Sequence, residues 1–207
     1  MGKRWYLERK RDYYYKSAKK HKYRSRASYK LLQLDNRFHI IRKGNKVVDL
    51  GAAPGGWSQV ALEKVGDDGL VIAVDIKPIK PFPVNNFHSI KGDFTDEKVQ
   101  EKIGELLCGK ADVIISDASP SLSGIKDIDQ LKSLELVENV RKVADRFLKK
   151  GGNLLVKVFQ GPGFNELLKK LRSSFRMVKS TKPASSRKGS PEMYIVCKGF
   201  KGSNEGF

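Results

Sequence analysis

Asp49-Leu-Gly-Ala-Ala-Pro-Gly-Gly-Trp57 is the stretch whose reading decides the fold. It follows the β-rich run at 46–50 and opens into a helical pattern at 57–65. A strand that ends in small residues and passes at once into a helix lets a bound molecule approach the backbone closely. It also offers that molecule the N–H groups of the helix N-terminus. The spacing is G-x-x-x-G-G, and Pro54 removes one N–H from the turn. The turn thus matches neither the G-x-G-x-x-G of a dinucleotide site nor a G-K-[ST] phosphate loop.

Working outward, the same alternation continues. Further strands are predicted at 70–75, 87–92, 112–116, 153–159, 176–180 and 193–198, with helices at 96–107, 127–149 and 164–173 and a short one ahead of the first strand at 28–38. This order defines an α/β fold with a seven-stranded, mostly parallel sheet. No helical pattern joins the last two strands, so they form an antiparallel hairpin and the last strand runs against the others. In the helix at 127–149, Ile128, Leu131, Leu134, Val137, Val140, Ala144 and Phe147 recur at helical spacing and are read as core.

Three strand ends carry acids. Asp75 closes the second strand, Asp93 follows the third and Asp117 the fourth. Carboxylates at the carboxyl edge of an open α/β sheet are placed to accept from ribose hydroxyls or an exocyclic amine, so the pattern reads as a nucleoside site. Any one of these acids by itself would read as a turn former. Lys157 is the oddest residue of the chain, an ammonium inside the apolar strand Leu154-Leu-Val-Lys-Val-Phe159. Such a group is retained only where it is paired or is needed for chemistry.

Charge indicates the partner. The 207 residues hold 41 Lys+Arg against 23 Asp+Glu, a net charge of +18. Residues 1–30 concentrate basic side chains among Trp5, Tyr6, Tyr13, Tyr14, Tyr15 and Tyr23. Cations neutralise phosphates and aromatic rings stack on unpaired bases, so this segment reads as an RNA-binding arm. Arg176, Lys179, Lys182, Arg187 and Lys188 form a second basic stretch. We divide the chain into this arm at 1–24 and a catalytic domain at 25–207. Cys108 and Cys197 lie far apart and His21, His39 and His88 are scattered, so no metal is expected. No apolar run approaches the roughly 18 residues of a membrane span and no signal peptide is recognisable, so a soluble cytoplasmic protein, with a monomer favoured, is expected.

The chain resembles the FtsJ (RrmJ) family of ribose 2′-O-methyltransferases. The likeness runs from Arg24-Ser-Arg-Ala-Ser-Tyr-Lys30 through Val48 to Gln59, Gly92-Asp-Phe94, Ser116-Asp117 and Val156-Lys-Val-Phe-Gln-Gly161 to Ser185-Ser-Arg187 and Glu192-Met-Tyr194. It implies a Rossmann-like fold with S-adenosylmethionine as cofactor, contacted by Gly55, Trp57, Asp75, Asp93 and Asp117, and a catalytic tetrad of Lys30, Asp117, Lys157 and Glu192. In size the chain is similar to the compact members that methylate a uridine of 23S RNA in the large ribosomal subunit. A methyltransferase of tRNA anticodon loops is the alternative within the enzyme class. A non-catalytic ribosome-assembly factor is the alternative outside it, and a binding module has no use for a lysine inside a strand.

Methyl transfer to a ribose hydroxyl is an in-line displacement, so positioning is most of the task. A lysine serves as base near neutral pH only where burial or a second cation favours its neutral form. Lys157 is therefore the expected base and Lys30 the second cation, with Asp117 steering the amine. Glu192 holds Lys30 or accepts from the ribose.

Overall fold

The computed structural model describes residue 16 and residues 22–187 and 189–202. The arm read at 1–24 falls almost wholly outside these residues, as does Lys188. In chain order the elements are α1 (Ser28–Phe38), β1 (Lys46–Leu50), α2 (Gly56–Val65), β2 (Leu70–Asp75), β3 (Phe87–Lys91), α3 (Glu97–Leu107), β4 (Ala111–Ser116), α4 (Lys126–Phe147), β5 (Leu148–Phe159), α5 (Phe164–Ser174), β6 (Phe175–Thr181) and β7 (Glu192–Phe200).

The strands form one sheet of order β3-β2-β1-β4-β5-β7-β6. β7 is antiparallel to both of its neighbours, β5 and β6, whereas the other pairings are parallel. The chain leaves β1 in one direction towards β3 and returns to β4 on its other side, which puts the topological switch point between β1 and β4. In open α/β sheets a ligand crevice forms there, outside the carboxyl ends of the strands.

The apolar strands are covered on both faces, which explains why they read as continuous Val/Ile/Leu runs. Alternate residues divide them. Val48, Leu50, Ile72, Val74, Ile114, Leu154 and Val156 face a core closed by α3, α4 and α5. Val47, Val71, Ala73, Val113, Ile115 and Leu155 face the opposite core, closed by Leu31 and Leu34 of α1 and Trp57, Val60 and Ala61 of α2. By this period of two, Lys157 shares the side of Leu155, under α1 and α2.

Two predictions need correction. α4 ends at Phe147, and the chain is already in β5 from Leu148, joining β4 irregularly until Asn153. Moreover, Ile128 and Leu131 are not core: they are 41% and 61% exposed. Helical spacing reports a face and says nothing of whether a sheet lies beneath it. The 22 residues of α4 span about 33 Å, against about 20 Å for the six residues of β4. In the first turns of the helix the covered face is the polar one, Asp129, Gln130 and Ser133, and buried apolar positions begin only at Val137.

Candidate active site

Two groups of charge meet at the carboxyl edge. The first is acidic and belongs to β1–β3. Asp49, next to the end of β1, is fully buried, and its Oδ2 accepts from Ser58 Oγ at 2.6 Å. Burial pushes its carboxyl up to about 7; the Ser58 hydrogen bond opposes this rise, and the charges of Asp117 and Asp75 add to it. Asp75 joins the strand end to the glycine turn, accepting from Ala53 N at 2.9 Å and from Lys77 N at 2.8 Å. Asp93 is exposed one strand further out, and its Oδ1 accepts from the backbone N and the Oγ1 of Thr95 at 2.8 and 2.7 Å. Asp75 and Asp93 are thus turn formers as well as strand-end acids.

Gly55 caps α2 with a φ of 102°. The first N–H groups of a helix have no carbonyl of their own helix to bond, while within the turn Ala53 N and Gly55 N are already paired with Asp75 Oδ2 and Ala52 O. The Cβ side of the turn is filled, however. A Cβ on Gly55 would lie 2.8 Å from Arg24 Nη1, and one on Gly56 would lie 2.1 Å from Ser25 Oγ. Part of the need for glycine here is the close approach of residues 24–25. Trp57 is buried, donates from Nε1 to Ala27 O at 2.9 Å and packs against Tyr194, so its ring braces the site from within.

The second group is built on β5, β7 and α1. Lys157 lies opposite Tyr194 and Phe159 opposite Glu192 in the β5–β7 ladder. Glu192 and Tyr194, two residues apart, share a face with Lys157, and Lys30 comes down on it from the first turn of α1. Lys157 Nζ donates to the backbone O of Asp117 at 2.7 Å and lies 3.2 Å from its Oδ1. Lys30 Nζ pairs with Glu192 Oε1 at 2.8 Å. Burial disfavours the Glu192 carboxylate, but Lys30, with a smaller contribution from Lys157, outweighs it and holds its carboxyl below the ordinary value. All four members of the predicted tetrad are therefore together, as two ion pairs.

Tyr194 was not singled out by the sequence reading. Its hydroxyl donates to Asp117 Oδ1 at 2.7 Å, and burial followed by the Asp117 charge keeps it a phenol. The signal for it was present, since it stands two residues after Glu192 on the same strand face. Asp49 and Arg24 were likewise quoted only as parts of motifs. Among the described residues no cluster of His, Cys, Asp and Glu is arranged to hold a metal ion, and no helix is long and apolar enough to cross a membrane.

A Rossmann-like sheet with a carboxylate-lined switch point and a buried lysine pair beside it is a frame on which group-transfer enzymes are built. The chain belongs to the FtsJ-like methyltransferase family, whose profile matches residues 23–200. It is 63% identical, over 99% of its length and 97% of the relative's, to ribosomal RNA large subunit methyltransferase E of Methanothermobacter thermautotrophicus. The protein of the same name from Methanobrevibacter smithii is 62% identical over 97% of this chain and 96% of its own. Among solved structures, a Plasmodium falciparum chain assigned as a ribosomal RNA methyltransferase superposes with a TM-score of 0.77 at 35% identity, covering 87% of this chain and all of the other. A fibrillarin/Nop5p complex, at 22% identity and a TM-score of 0.60 over 83% of this chain and 81% of the other, shares the fold.

Proposed function

We propose that this chain transfers a methyl group from S-adenosylmethionine to the 2′-hydroxyl of a uridine in the 23S RNA of the large ribosomal subunit, with Lys157 as general base. The RNA assignment is supported by the names of the relatives and by the basic stretch of β6 and the loop after it. The observation that carries the chemistry is the anchoring of Lys157 by two oxygens of Asp117 at the carboxyl edge.

The residues present fit the cofactor. In a chain of net charge +18, the charges of Asp117 and Asp75 are close enough to add to the cost of ionising Asp49. Asp49 Oδ1 is buried without a hydrogen-bond partner among the described residues. Such a cleft favours a ligand that brings positive charge and hydroxyl donors. Asp75 would accept from the ribose hydroxyls and Asp93 from the adenine amine, while Gly55 and Trp57 would contribute through their backbone. When bound, S-adenosylmethionine supplies a methyl group on a positively charged sulfur.

The chain's own residues then have to orient a hydroxyl and take its proton. An ammonium has three hydrogens, and two of those on Lys157 are directed to Asp117. The third position is the one that exchanges. Once vacated, it leaves a lone pair whose direction is set by the two remaining N–H bonds, and the hydroxyl proton would pass there. Tyr194 fixes Asp117, and the Lys30–Glu192 pair places a second cation and an acceptor beside the sugar.

Incubation with a labelled methyl donor and either ribosomal RNA or tRNA, followed by nuclease digestion and mass spectrometry, tests this reading. The expected product is one 2′-O-methyluridine in the large-subunit RNA. Methylation of tRNA alone would overturn the substrate, and a base-methylated product would overturn the role of Lys157.

A further inference from the structure

Only Lys30 of residues 22–30 belongs to the tetrad, yet this short segment touches both halves of the site. Lys30 holds Glu192, and Ser28 Oγ donates to Gly56 O at 2.9 Å. Arg26 Nη2 donates to Ser185 O at 2.8 Å, beyond β6. Arg24 reaches the other way. Its Nη1 donates to Lys80 O and, at 3.5 Å, to Pro54 O, while its Nη2 donates to Pro81 O at 2.8 Å. The guanidinium carbon lies 3.4 Å from the centroid of the Phe82 ring, which packs edge-on against Phe87 of β3. The backbone N of Arg24 donates to Gln59 Oε1 of α2 at 3.0 Å.

These contacts decide between two roles. At the root of a basic arm, an arginine would by default be a phosphate ligand. This one spends its donors on three carbonyl oxygens and its face on an aromatic ring, which is the work of a planar fork rather than of a point charge. The carbonyls also lie on two different pieces of the cofactor cleft. Pro54 belongs to the turn between β1 and α2, whereas Lys80 and Pro81 belong to the loop that leaves Asp75. Ile79 of that loop is buried, and its Cγ2 lies 3.4 Å from where a Gly55 Cβ would be.

We infer that Arg24 is a positioning residue for the cofactor: it staples the loop after β2 to the glycine turn and so presets the width of the cleft that receives the nucleoside. The inference rests on the S-adenosylmethionine reading above. It assigns to Arg24 an effect on cofactor affinity without a role in the methyl-transfer step.

The test compares wild type with Arg24→Lys, Arg24→Ala and Phe82→Leu, the last removing the ring under the guanidinium. Calorimetry with S-adenosylhomocysteine gives cofactor-site affinity, filter binding gives RNA affinity, and steady-state kinetics separate KM for S-adenosylmethionine from kcat. Arg24→Lys keeps the charge and loses the fork, so it is the decisive variant even if Arg24→Ala fails to fold. It should weaken S-adenosylhomocysteine binding at least tenfold and raise KM in proportion, with kcat at saturation and RNA affinity within about twofold of wild type. Phe82→Leu should weaken binding in the same direction by a smaller factor. Full affinity in Arg24→Lys, or a loss confined to RNA binding, would overturn the staple and make Arg24 a charge contact. Absence of S-adenosylhomocysteine binding by wild type would instead overturn the cofactor reading itself.

Discussion

Along one edge of one sheet, two neighbourhoods treat charge in opposite ways. On the β1–β3 side, Asp49, Asp75 and Asp93 are held by hydroxyl and backbone N–H donors, and Asp49 is driven towards its neutral form. On the β5–β7 side each cation meets a carboxylate, Lys157 with Asp117 and Lys30 with Glu192. In the first neighbourhood no cation of the described residues pairs with Asp49, Asp75 or Asp93. In the second, the four charges of the tetrad are balanced pair by pair, so what they contribute is orientation. Asp117 belongs to both, adding to the acidity felt by Asp49 while gripping Lys157.

The largest test of this contrast is Lys157→Ala. It should lower kcat by about 10³-fold, within the range of general-base contributions, and leave S-adenosylhomocysteine affinity within a few-fold of wild type. Equal losses in both would merge the two neighbourhoods into one. Tyr194→Phe removes one hydrogen bond to a charged group, worth about 1.5–3 kcal/mol, and should reduce kcat roughly ten- to a hundredfold through misorientation of Asp117. An unchanged kcat would show that Lys157 alone holds that carboxylate.

Asp49→Asn probes the acidic side through stability. The carboxyl of Asp49 stands near 7 in the folded state against 3.8 as its ordinary value, so the native state binds the extra proton. Stability should therefore fall as pH rises from about 4 to about 7 and be level above, an effect of up to roughly 4 kcal/mol. Urea unfolding at pH 5 and pH 8 should show Asp49→Asn with a flatter profile and a gain confined to the higher pH. Persistence of the wild-type slope would place the titrating group elsewhere. A smaller effect is expected from Lys179→Gln with Arg187→Gln on the substrate side, each lowering the salt slope of RNA binding by about 0.7–0.9. Smallest of all, Ile128→Ser and Leu131→Ser should each change stability by less than about 0.5 kcal/mol, whereas Val137→Ala in the same helix should cost more than 1 kcal/mol.

Much of this was legible in the residues. Each strand is a dense apolar run, and the lysine at 157 is conspicuous because it interrupts one. The failures were of a different kind. Ile128 and Leu131 repeat as faithfully as Val137 does, but periodicity is a property of the helix, and in its first turns the face that is covered is that of Asp129, Gln130 and Ser133. Tyr194 looked like another β-former because its importance depends on a cross-strand neighbour nearly 40 positions away. Arg24 read as one more positive charge, since a sequence shows that an arginine is present but not that three carbonyls surround it.

The reversed direction of β7 has a further consequence. A parallel strand must be reached by a crossover, but β6 and β7 are joined by residues 182–191 alone, and this connection opens at the edge where Lys157 stands. Lengthening such a connection costs only about 0.6 kcal/mol per doubling of its length. Residues can therefore be added to this hairpin at small cost, provided that Ser186 and Ser190, which interact with Glu192 from within it, keep their places.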